Sequence, residues 1–73
     1  MEYKEIYIKG DFIKLDSLLK FSSLLGSGGQ AKNVILDGLV KVNGEICVQR
    51  GKKIRENDTV EYDNKGLIVK NAN

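Results

Sequence analysis

The Asn43-Gly44 pair constrains this chain more than any other feature. Both central residues of a type I′ turn need positive φ, and Asn-Gly supplies that at little cost. Val40-Lys41-Val42 precedes the pair and Glu45-Ile46-Cys47-Val48 follows it, so the spacing predicts a β-hairpin. A two-residue turn sets Val40 opposite Cys47 and Val42 opposite Glu45. Lys41 and Ile46 then share the other face, unless a bulge shifts the register.

The flanking segments extend the pattern. Tyr3 to Ile8 alternates, with Ile6 and Ile8 on one face, and is expected to be a strand that Gly10-Asp11 ends. Leu15, Leu18, Leu19 and Leu25 lie near helical spacing, with Asp16 early where the helix dipole favours an acid. They predict a short helix ending at Gly26. Ser27 is placed to cap a second helix, whose apolar stripe is Ala31, Val34 and Ile35. Gly38 stands where a left-handed C-terminal cap belongs, giving a helix of roughly ten residues. After the hairpin, Gln49-Arg50-Gly51-Lys52-Lys53 is expected to be a basic loop, with Ile54 returning to the core. Glu56-Asn57-Asp58 is a turn, Thr59 to Tyr62 a strand, Asp63 to Gly66 a turn and Leu67 to Val69 the last strand. Residues Asn71-Ala72-Asn73 are expected to fray. The order is strand, helix, helix, hairpin, strand, strand. It predicts an α+β fold, two short helices packed on a small, mostly antiparallel sheet.

Size narrows the function. A chain of 73 residues is one domain, 1–73. Core burial in a domain this small only narrowly exceeds the cost of ordering it. A substrate cavity of about 300 Å³ would hollow out the only core available. A surface that grips a large partner needs no cavity, so a binding module is expected rather than an enzyme, with no small-molecule substrate. Histidine is absent, which removes the commonest general base and metal ligand. Cys47 stands alone and belongs to an expected strand, as a small core residue. Asp11 and Asp16 are explained by a turn and a helix start. No phosphate-binding loop, zinc spacing or nucleophile elbow is present, so no catalytic residue, cofactor or metal site is expected. With one cysteine, no signal-like start and no apolar run near the roughly 20 residues that span a bilayer, the expectation is cytoplasmic, away from membranes.

Charge distribution points to a partner. The net charge is +2, but residues 28–55 hold six basic side chains against two acidic ones, and the remainder holds six against eight. Positive charge concentrated mid-chain is the footprint of a polyanion binder.

Lys14-Leu15-Asp16-Ser17-Leu18-Leu19-Lys20, then Ser27-Gly28-Gly29-Gln30-Ala31-Lys32, then Asp37-Gly38-Leu39-Val40-Lys41-Val42-Asn43-Gly44 together resemble the RNA-binding domain named after ribosomal small-subunit protein S4, the alpha-L RNA-binding motif. Gln49 to Val60 is similar to the family's basic loop and the turn after it, and the family-like core spans about residues 12–62. The family's members include ribosomal proteins, pseudouridine synthases and tyrosyl-tRNA synthetases, and this chain looks like its small stand-alone bacterial members. The resemblance implies a structured RNA partner, ribosomal or transfer RNA, and a part in ribosome assembly, translation or RNA handling. The chain departs from the family at Lys14 and Gly28, where many members carry arginine, and at Asn57-Asp58, where they carry Gly-Asp. Lysine meets phosphate as a point charge, without the bidentate fork of arginine.

The residues expected to bind RNA are Lys14, Ser27, Gly28, Gly29, Lys32, Lys41, Arg50, Lys52 and Lys53. Ser27-Gly28-Gly29 at a helix start offers free backbone N–H groups to phosphate. Lys32 follows one turn in. Lys41 flanks the site if the hairpin packs beside the second helix. Arg50, Lys52 and Lys53 form the strongest cluster, while Lys20 stands second and Arg55 is adjacent to Glu56. The aromatics Tyr3, Tyr7, Phe12, Phe21 and Tyr62 are scattered along the chain. They are expected in the core and sheet, with no stacking platform, so duplex or folded RNA is the expected ligand. Two other readings stand beside this one. One is a protein-interaction adaptor using Leu36 and the nearby helix surface. The other is a duplex-DNA binder, which no helix-turn-helix or zinc finger supports.

Overall fold

The computed structural model describes residues 2–22, 24–25 and 30–72. Among the described residues, seven strands and two helices run in the order β1 (Tyr3–Ile8), β2 (Ile13–Lys14), α1 (Leu15–Phe21), α2 (Ala31–Leu36), β3 (Val40–Val42), β4 (Glu45–Ile46), β5 (Lys53–Ile54), β6 (Thr59–Tyr62) and β7 (Lys65–Asn71). The main sheet has the order β1-β7-β6-β3-β4, and β2 and β5 form a separate two-stranded ribbon. The expected α+β arrangement of two helices on a small sheet is present, but the sheet is mixed. β1 runs parallel to β7, whereas β7–β6, β6–β3 and β3–β4 are antiparallel.

The hairpin forms as its turn chemistry requires. Asn43 and Gly44 have φ of 52° and 86°. Lys41 pairs with Ile46 and Val42 with Glu45, and the Cys47 N–H donates to Val40 O at 3.0 Å, so the register is the expected one without a bulge. Asn43 then ties the hairpin to β6. Its Oδ1 accepts from the Thr59 N–H at 2.9 Å, and its Nδ2 donates to Asp58 Oδ1 at 3.1 Å. Asp58 Oδ2 accepts from the Arg55 N–H at 2.8 Å, while Asn57 takes a φ of 73°. Asparagine therefore serves in this turn where the family carries glycine.

Both helices are shorter than their leucine pattern suggests. α1 stops at Phe21 because the Ser22 side chain competes for the backbone: its hydroxyl donates to Leu19 O at 3.2 Å and accepts from the Leu24 N–H at 3.3 Å. α2 spans six residues, and its N-cap is Gln30, in extended conformation with no side-chain cap. The expected cap, Ser27, lies outside the described residues. The other end is as expected. Gly38 has φ 76°, its N–H donates to Ile35 O, and the Leu39 N–H donates to Val34 O, a Schellman cap.

One face of the sheet and the two helices enclose the core. Leu15, Leu18, Leu19, Ile35, Val40, Ile54, Val60 and Val69 are fully buried, with Leu67 and Ala31 nearly so. Leu15, Leu18 and Leu19 follow helical spacing, and Val40 and Val42 follow strand alternation, so both periods converge on one cluster. Cys47 is half-buried against that cluster rather than within it. The C-terminal end does not fray at residues 71 and 72: Asn71 pairs with Ile8, and the Ala72 N–H donates to Ile8 O at 2.8 Å.

Candidate nucleic-acid interface

The basic loop 49–53 is held in place by the first helix. The first N–H groups of a helix lack partners within it, and here the loop supplies them. Leu15 N–H donates to Lys52 O at 2.9 Å, and Asp16 N–H donates to Arg50 O at 3.1 Å. The Lys52 N–H donates to Gln49 O at 3.2 Å, closing the turn on itself. Immediately beyond, β5 pairs with β2, setting Lys53 opposite Lys14 and Ile54 opposite Ile13. The loop carbonyls thus face the helix, and its three cationic side chains are exposed.

Those side chains fan out. Arg50 lines a groove of about 360 Å³ between the two helices, together with Asp16, Lys20, Leu25, Gln30, Ala31 and Lys32. Lys52 lines a neighbouring depression against the hairpin, with Val42, Ile46, Cys47 and Val48. Lys53 turns the other way, its Nζ 4.9 Å from the centre of the Phe12 ring. The structure therefore brings Arg50, Lys32 and Lys20 into one groove and sets Lys14 and Lys53 opposite each other on the β2–β5 ribbon. Lys20, second to the loop cluster by sequence, belongs to the groove wall. Its position one turn after Asp16, on the solvent side of the leucine stripe, is the signal that places it there.

Ser27, Gly28 and Gly29 lie outside the described residues, and α2 begins only at Ala31. Lys41 does not lie on the helix-covered face of the sheet. Val40 and Val42 point into the core, so Lys41 projects from the opposite face of the sheet, across from Glu61 on β6 and Ile46 on β4. On that outer face Gly66 lies between Glu61 and Tyr3 in the strand register. The Tyr3 phenol is held above its ordinary range, first by partial desolvation and then by the nearby Glu61 carboxylate. An aromatic laid over a strand glycine covers backbone that glycine leaves bare.

Gly51, in the middle of the basic loop, is not required by the backbone. It lies outside the left-handed region, and a side chain there would meet open space. The fold alone would accept a larger residue.

A search of curated proteins finds no match to this chain. The family model described as the S4 domain matches residues 6–70. That span includes both helices, the hairpin and the docked basic loop, and S4 domains are RNA-binding modules. The chain belongs to the S4 domain family.

Proposed function

We propose that this domain binds structured RNA, ribosomal or transfer RNA, through its helix-side basic face, and serves ribosome assembly, translation or RNA handling in the cytoplasm. The observation that carries this reading is the docked loop. Hydrogen bonds to the start of α1 fix the backbone of residues 50–52, and Arg50 shares one groove with Lys20 and Lys32. A pre-positioned row of cations meets the regular phosphates of an A-form backbone without ordering a loop first. Lys14, Lys52 and Lys53 extend the binding surface on either side. Ser27, Gly28 and Gly29, a serine and two glycines ahead of the second helix in the sequence, are retained as backbone donors to phosphate. The whole chain, 1–73, acts as one RNA-binding domain. Its shape-and-charge recognition needs no cofactor and no catalytic residue.

The test is fluorescence anisotropy with folded ribosomal RNA fragments across a salt series. Affinity is expected to fall steeply with salt, by a log–log slope of about 0.7 to 0.9 per phosphate neutralised, and to exceed that for duplex DNA of equal length. A second reading, a protein-interaction adaptor, has one observation in its favour: Leu36, Leu39 and Ile46 are each more than half exposed. Salt-independent capture of a protein, with no RNA binding, would support the adaptor instead.

A further inference from the structure

Three aromatic side chains expected in the core converge on the surface. Tyr7 is 56 % exposed, Phe12 39 % and Phe21 65 %, and with Ile8, Lys9 and Ile13 they line one groove of about 380 Å³. Local structure explains the convergence. β1 ends at Ile8, and the chain reverses through Gly10, whose φ of 94° suits glycine and whose carbonyl accepts from Asn71 Nδ2 at 3.1 Å. The reversal brings Phe12 back beside Tyr7. Phe21 lies off the buried stripe of Leu15, Leu18 and Leu19, so the end of α1 carries it outward. Single exposed apolar residues are ordinary, but several gathered in one concavity mark a binding site.

The surroundings are cationic. Lys9 lines the groove, Lys53 Nζ stands 4.9 Å from the Phe12 ring centre, and Arg55 Cζ stands 6.0 Å from it. Of the acids on the same segments, Glu5 accepts a hydrogen bond from the Tyr7 hydroxyl at 3.1 Å, and Asp11 immediately precedes Phe12 in the chain. Lys53 also pairs across the ribbon with Lys14, which leads directly into α1, the helix that carries Lys20 of the basic groove near one end and Phe21 of this one beside it. An apolar protein partner would leave the cations beside the Phe12 ring unmatched. An unstacked nucleotide brings both halves of the complement, a flat base for the rings and a phosphate for the lysines.

We propose that the groove of Tyr7, Phe12 and Phe21 takes an unpaired base flanking the duplex that the basic face holds. Two cations crowd Phe12, so Phe21, the most exposed ring, is the stacking platform. This rests on the RNA-binding reading above and adds a junction preference to it: the protein favours a paired stem that opens into single strand.

The experiment compares one RNA hairpin, blunt or carrying a three-nucleotide single-stranded tail, bound to the parent, Phe21→Ala and Phe21→Tyr proteins. Stacking of one base corresponds to roughly a five- to hundredfold gain in affinity. The parent is expected to prefer the tailed hairpin by an amount in that range. Phe21→Ala loses that preference and keeps the blunt affinity, and Phe21→Tyr retains both. A Phe21→Trp protein, in a chain with no other tryptophan, should show fluorescence quenching with the tailed RNA and not the blunt one. Equal binding of the two hairpins by the parent, unchanged by Phe21→Ala, overturns the groove proposal and leaves the basic face standing. Absence of binding to either hairpin overturns both.

Discussion

The two faces of the sheet carry the same residue type in opposite settings. On the helix side, Lys20, Lys32 and Arg50 share a groove in which Asp16 is the one acidic wall residue among those described, and Lys14 and Lys53 pair on the ribbon that leads into α1. On the outer side, Lys41 stands directly across from Glu61, and Lys70 Nζ donates to Asn57 Oδ1 at 3.3 Å. The outer lysines are placed among partners of the fold itself, while the helix-side cations outnumber theirs. Charge count alone does not separate these roles; the strand period does, because it decides which face a lysine reaches.

The contrast is breakable. Charge reversal of the helix-side pair, Lys32→Glu with Arg50→Glu, should have the largest effect. Two charge-assisted hydrogen bonds of roughly 1.5 to 3 kcal/mol each imply an RNA affinity weaker by about a hundredfold or more, read by anisotropy, with the thermal midpoint little changed. Asn43→Ala should act on stability instead. It removes a turn residue at φ 52° and its hydrogen bonds to Asp58 and Thr59, and should cost roughly 2 kcal/mol in urea denaturation while RNA affinity stays the same. Gly51 sharpens the comparison from another direction. Gly51→Leu should leave stability within about 0.5 kcal/mol, as for an ordinary surface site, yet weaken RNA binding because the side chain occupies the space a phosphate backbone needs. A stability loss with intact binding would show that the glycine serves the fold.

The smallest effect is expected at Tyr3. Its phenol titrates above the ordinary value of 10.0 in the folded chain, so its contribution is present below that pH. The contribution is lost as pH rises through the raised folded value. Denaturation midpoints measured between about pH 9 and 11 should fall more steeply for the parent than for Tyr3→Phe. Identical profiles would remove the Tyr3–Glu61 interaction from the account.

Sequence legibility follows the range of the interaction. The hairpin, its register, the Schellman end of α2 and the Asn57 turn depend on residues within a few positions of one another, and all can be read from the residues alone. The β2–β5 ribbon cannot. It joins two-residue segments about forty positions apart, and it exists because the Arg50 and Lys52 carbonyls dock on the Leu15 and Asp16 N–H groups. The parallel β1–β7 pair is equally non-local. The same limit applies to the candidate site. The basic loop is visible as composition. Lys41's face is legible from the alternation of Val40 and Val42, but which face the helices cover is not local to it. The aromatic groove escapes it because a turn at Gly10 and the early end of α1 create the concavity. Ser22 ends that helix through side-chain bonds that a leucine count does not contain.

The central claim is that RNA is held on the helix side and not on the outer sheet face. The most direct measurement is the salt dependence of RNA affinity for the parent, the Lys32→Glu/Arg50→Glu protein and Lys41→Glu. The account predicts a slope reduced by about 0.7 to 0.9 for each phosphate that the helix-side variant no longer neutralises, and a Lys41→Glu slope equal to the parent's. A reduced slope for Lys41→Glu with an unchanged slope for the helix-side variant would contradict it.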